Sequence, residues 1–248
     1  MAATSDSMKS GAATGSGLTI ALLALTFSTG VIDALSFIAL GHVFTANMTG
    51  NIVFLAFAVS GTKGLSAARS VASLLAFMAG AAYGGVMNVR HADWTQARLL
   101  KAASAIEAAL LFVAASFVAI TGSEYEITAK AAYGLITLTA LAMGVRNAVV
   151  RKMAVPDLTT TVLTLTVTGL ASDSSLAGGV NPRWRTRLAS ITTMFLGAVT
   201  GTMLLRYGVV APLVASSFVA LSVFAWLATR LQSVGDGRPQ IPGNRTST

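Results

Sequence analysis

Six long stretches of this 248-residue chain carry almost no charge, and that sparsity dictates what the chain can become. They are Leu18–Leu40, Val71–Val89, Ala102–Thr121, Ala129–Val150, Leu188–Leu205 and Val209–Ala228. Each has the length needed to cross a hydrocarbon core, about 17–25 helical residues. In lipid, every backbone N–H and C=O must find its partner without water, so such stretches fold as helices. Only 10% of residues are charged, against about 25% in soluble domains. The reading is an all-α polytopic membrane protein, multi-pass in a bacterial cytoplasmic (inner) membrane, with the lipid bilayer as its first partner.

Composition also excludes chemistry. Cysteine is absent, which removes disulfides, thiolate metal sites and a cysteine nucleophile. His42 and His91 are far apart in sequence and do not make a metal site. No metal and no cofactor are expected, no catalytic residue is assigned, and the chain is read as a non-enzyme. The formal charge of +8 would suggest nucleic acid in a soluble protein. Here the basic residues sit between apolar runs and read as topology signals, so no nucleic-acid partner is expected.

Residues 1–17 and 231–248 are rich in Gly and small polar residues, with Pro in the second, and are predicted to be disordered tails. Leu18–Leu40 is too long for a signal-peptide core and reads as a retained span. Between the tails lie two further apolar segments, Ala46–Val59 and Leu158–Ala171, of 14 residues each. Both are short and polar. The first opens Thr45-Ala-Asn47-Met-Thr49-Gly50-Asn51, and the second carries six threonines between Thr159 and Thr168. They are predicted to be half-helices that enter the membrane and return. With that topology and the N-terminus inside, thirteen basic residues lie inside and four outside. A seven-span version, with the second half-helix alone re-entrant, gives twelve to five and stays open.

The two halves resemble each other. Gly30-Val-Ile-Asp33-Ala matches Gly144-Val-Arg-Asn147-Ala after 114 residues, and Gly80-x-x-x-Gly84 matches Gly197-x-x-x-Gly201 after 117. Residues 18–121 and 129–230 are therefore predicted to be two transmembrane repeats. Three true spans per repeat would invert the second, as in many secondary transporters.

Polar groups inside the spans mark the candidate site, because a buried charge costs at least about 2.5–3.5 kcal/mol on insertion scales. Asp33 is one. Its counterpart is Asn147, beside Arg146, and an Asp33–Arg146 ion pair is the expected partnership. Asn47, Thr49 and Asn51 open the first half-helix, and Thr160 and Thr164 lie on one stripe of the second. These are the expected solute-binding residues, with Asn147 orienting the site. A half-helix N-terminus would suit an anionic group, whereas Asp33 would carry a proton or meet a cation. The competing reading is ordinary capping and interhelical hydrogen bonding. Glu107, a lone acid within Ala102–Thr121, reads as structural. Gly50, Gly80, Gly84, Gly197 and Gly201 are read as helix-packing positions, within one chain or between copies in a homo-oligomer.

GVIDALSFIALGHVFTANMTGN and MGVRNAVVRKMAVPDLTTTVLTLT together resemble the two signature blocks of the YoaK family, bacterial integral-membrane proteins of unknown function. The resemblance covers about residues 18–230. It matches Gly30, Asp33, Phe44, Met48, Thr49, Gly50, Asn51, Asn147, Thr160 and Thr164 to motif positions. Arg146 departs from it, since many relatives look to have Gln there. The resemblance implies membrane location and no particular activity. From the residues, the expected function is a small-solute transporter or channel of unknown solute. The alternatives are a non-transporting assembly partner and, behind it, a membrane-embedded enzyme.

Overall fold

The computed structural model describes residues 2–121, 127–153 and 163–235. They form eight α-helices: α1 (Ala2–Ala39), α2 (Met48–Val59), α3 (Ala67–Arg90), α4 (Gln96–Thr121), α5 (Ala129–Met153), α6 (Leu163–Ser172), α7 (Trp184–Leu204) and α8 (Val210–Gly235). No strand occurs among the described residues. Six helices are long and apolar enough to span, as expected. At 12 and 10 residues, α2 and α6 rise only about 18 and 15 Å, roughly half of a hydrocarbon core. The chain is thus an all-α polytopic membrane protein. The first helix is assigned from Ala2, and its apolar spanning part runs from Gly17 to Ala39. The second tail beyond Gly235 lies outside the described residues.

Large apolar side chains point outward as well as inward. Leu75, Met78, Phe112, Ile120, Phe195 and Phe218 are all exposed, which suits a surface whose solvent is hydrocarbon. Inside, α1 and α5 are the central helices, each 67% buried along its apolar window, against 17% for α7. α1 packs on α7 and α8, α5 packs on α3 and α4, and α4 joins α8. The short helices lean on their successors, α2 on α3 and α6 on α7.

Glycine makes the two closest crossings possible. A Cβ on Gly80 or Gly84 of α3 would collide with the Leu141 or Val145 carbonyl of α5, and one on Gly144 would strike the Phe77 carbonyl. The α1–α7 crossing has the same design. There Gly197 and Gly201 face the Phe27 and Val31 carbonyls, and Gly30 faces that of Met194. These glycines therefore act within one chain. Gly50 does a different job, giving room to the ring of Phe44.

The apolar interior is split in two. One cluster holds Leu22, Leu25, Leu100, Val149 and Val223, and the other Ile32, Leu35, Leu111, Leu135 and Leu213. Between them, at mid-height of the long helices, lies a layer of buried polar groups that includes Ser28, Thr29, Glu107, Arg146 and Ser217. The candidate site opens beside this layer.

Candidate solute site

α1 ends at Ala39, and the chain reverses through Gly41 and His42, both with positive φ. It then runs irregularly to Asn47, the N-cap of α2, whose side chain accepts from the Gly50 N–H at 3.4 Å. Irregular backbone at this depth must be paired by something other than water. Asn51 supplies the pairing. Its amide oxygen accepts from the Phe44 N–H at 2.8 Å, and its amide nitrogen donates to the Phe44 carbonyl at 2.6 Å and to Ser73 Oγ at 3.1 Å. Ser73 Oγ itself donates to the same carbonyl at 2.6 Å. The rings of Phe37, Phe44 and Phe54 stack behind this clamp, with centroids 5.3 and 5.6 Å apart. Asn51 is fully buried and does not line the cavity, where it was expected. Its side-chain hydrogen bonds go to the Phe44 backbone, to Ser73 and, at 3.7 Å, to Met48 Sδ, so it fixes the loop that carries the site.

Asp33 receives the loop from the other side. Its Oδ1 accepts from the Ala46 N–H at 3.1 Å, next to the N-terminus of α2. The helix end that would suit an incoming anion already faces a carboxylate of the protein. Asp33 is 6% exposed, and that exposure opens into a cavity of about 570 Å³. Asn47 and Thr49 line it from α2, and Leu163 and Thr164 line it from the N-terminus of α6. Thr29 on α1, Phe54, Phe77 and Met194 complete much of the wall. Four expected residues, Asp33, Asn47, Thr49 and Thr164, therefore meet in one place. Asn147 is buried and is not part of the lining. Thr160 lies outside the described residues.

The expected Asp33–Arg146 ion pair is not the one that forms. Arg146 Nη1 pairs with Glu107 Oε1 at 2.8 Å and donates to the Leu25 carbonyl at 3.1 Å. Nη2 donates to Thr29 Oγ1 at 2.5 Å and contacts Met143 Sδ at 3.0 Å. Ser28 Oγ adds a donor to Glu107 Oε1 at 3.3 Å. The physical reason is depth. Glu107 sits on α4 with no exposure and must be neutralised there. Asp33, nearer the end of α1, is met by backbone N–H at the α2 end. Sequence reasoning missed Thr29, which joins the cavity wall to the buried pair. Its position one helical turn before Asp33, on the same face of α1, was the available signal.

At the far end of α6, Arg187 of α7 donates to the Gly169 carbonyl and pairs with Asp173 at 2.7 Å. That hydrogen bond holds the Asp173 carboxyl below its ordinary range. A cation at a helix C-terminus also complements its dipole, so α6 is fixed to α7 by charge at one end.

A family described as "Protein of unknown function (DUF1275)" matches residues 21–226. The chain belongs to that family. The match runs from α1 to α8 and contains every cavity-lining residue named above. The chain is also 33% identical over 156 residues to the UPF0700 transmembrane protein YoaK of Bacillus subtilis (strain 168). That alignment covers 63% of this chain and 66% of the relative, just under two thirds of its length. No solved structure matches the chain. Membership in the DUF1275 family agrees with the signature blocks around Asp33 and Asn147. It assigns no chemistry to them.

Proposed function

We propose that this DUF1275 member is a small-solute transporter or channel of the bacterial cytoplasmic membrane, not an enzyme, and that the solute occupies the cavity at Asp33. One observation carries the reading: the N-terminal ends of both short helices line the same cavity beside a buried carboxylate. Broken helices meeting at mid-depth are the usual place for a transported solute.

The reading includes an inverted internal repeat, supported by the pattern of contacts. Gly80 against Leu141 and Gly197 against Phe27 are the same contact after shifts of 117 and 114 residues. Phe77 and Met194, equivalent under the same shift, both line the cavity. α1 on α7 corresponds to α5 on α3, and α2 on α3 corresponds to α6 on α7. Residues of both halves line the cavity, and rocking of one half against the other would expose it alternately. An assembly-partner role drew its motivation from the glycine faces, and these are used inside the chain.

The test is flux through purified protein in liposomes across a panel of organic acids, amines, amino acids and inorganic ions. At least one solute should cross faster than in empty vesicles, and Asp33→Asn combined with Thr49→Val should abolish the increment. An active panel untouched by that double substitution would place the site elsewhere.

A further inference from the structure

We propose that the solute taken by this cavity is a small organic cation, an ammonium group carried on an apolar body. The inference rests on the transport reading above and adds the class of cargo.

Charge decides first. Among the described lining residues Asp33 is the one titratable group, and no Lys, Arg or His faces the cavity. The buried guanidinium of Arg146 is matched by Glu107 at 2.8 Å. That pair is neutral as a unit, so the group that answers a solute's charge is Asp33. An anion brought beside its carboxylate would meet like-charge repulsion in a low dielectric. A cation favours the ionised carboxylate and serves as its counter-charge.

Hydrogen-bonding capacity points the same way. An ionised carboxylate accepts about four hydrogen bonds, and the Ala46 N–H supplies one of them. The Thr29 hydroxyl is spent, since it donates to the Leu25 carbonyl at 2.9 Å and accepts from Arg146. Asp33, Thr49 and Thr164 remain as acceptors for the N–H groups of an ammonium.

Size and wall chemistry then exclude a bare ion as the sole occupant. A cavity of about 570 Å³ falls in the range of small-molecule sites, roughly 300–1,000 Å³. The same wall includes the rings of Phe54 and Phe77 and the thioether chains of Met48 and Met194. Rings attract a cation through their faces, and thioether chains adapt to an apolar body.

The test uses three matched probes on the detergent-purified full-length protein and in liposomes: phenethylamine, its alcohol counterpart 2-phenylethanol, and the acid 3-phenylpropionate. The amine should raise the unfolding temperature and cross the membrane by a saturable route, and the other two should do neither. Asp33→Asn should weaken the amine's effect by roughly 30-fold or more, the consequence of leaving a buried charge unpaired. If that variant does not fold, Asp33→Glu keeps the test open and should retain the preference for amine over alcohol and acid. Equal or stronger effects of the alcohol or the acid would overturn the cation assignment while leaving a solute site intact. An amine effect unchanged in Asp33→Asn would also overturn it. No response to any of the three, together with no flux across the broader panel, would overturn both this assignment and the transport reading. Flux of another solute with no response to the amine would overturn this assignment alone.

Discussion

The Arg146 guanidinium of α5 lies 1% exposed at mid-depth, where its hydrogen bonds reach α1 and α4 at once. Glu107 neutralises it, Thr29 receives it, and Ser28 supports Glu107. Such a pair contributes little net stability, because desolvation offsets the attraction; removing one partner is what costs. Glu107→Gln or Arg146→Met alone should therefore destabilise the protein by about 3–5 kcal/mol. Replacing both with apolar residues of similar volume should recover most of that loss. Thermal unfolding of the single and double variants in one detergent measures the coupling, and strictly additive losses would show that the two side chains do not act as a unit. Asn51 teaches a related lesson at the same scale. A polar residue in a conspicuous motif is here committed to the backbone of its own loop.

At the level of elements, two kinds of helix do two kinds of work. The long helices pack closely through glycine, and the short ones bring their N-terminal ends to the cavity. The first claim separates two glycines on α3, five residues apart. A Cβ at Gly80 would run into the Leu141 carbonyl, whereas one at Gly85 would meet nothing within 4 Å. Gly80→Ala should therefore cost about 1–3 kcal/mol through overpacking. Gly85→Ala should be neutral or slightly stabilising, because alanine favours helix over glycine by about 1 kcal/mol. Melting temperatures of the two variants in the same detergent decide the matter, and equal losses would mean that the α3–α5 crossing is not close. Gly197→Ala on α7 should behave like Gly80→Ala, since it faces the Phe27 carbonyl in the same manner.

For the molecule as a whole, the arrangement of ends follows from how the helices return. The C-termini of α3 and α5 meet the start of α4: Lys152 Nζ donates to the Asn88 carbonyl at 2.8 Å, and Gln96 Nε2 to the Met153 carbonyl at 3.3 Å. Arg90, Arg98, Lys101, Arg151 and Lys152 therefore gather at one end of the bundle, the expected inside. Arg146 is buried and leaves the positive-inside count, which becomes twelve against four. Because the chain has no cysteine, single cysteines report topology cleanly. Cysteines at Thr62 and His91 should react with a membrane-impermeant thiol reagent from opposite sides. Those at Thr49 and Thr164 should react with a small hydrophilic reagent despite their depth. Labelling of positions 62 and 91 from the same side would break the six-span topology.

The spans, the two short helices and the glycine crossings were legible in the linear sequence, because each depends on local properties. A helix in lipid satisfies its own backbone, so length and apolar content suffice to find it. Small residues at a four-residue spacing announce a close approach before the partner is known. The convergence of Asp33, Asn47, Thr49 and Thr164 was also foreseeable, since Asp33 is an acid inside the first span and the other three lie at the starts of the two short helices. Partnership was not legible. Whether Arg146 would face Asp33 or Glu107 depends on the rotation and depth of α1, α4 and α5 about one another, and Glu107 lies 39 residues from it in sequence. Whether Asn51 would face a solute or its own loop depends on where the backbone reverses at Gly41 and His42. Sequence determined which segments enter the bilayer, because hydrocarbon penalises each unpaired polar group wherever it lies. Tertiary structure alone decided which buried polar groups satisfy one another, because that is settled by distances between helices far apart in the chain.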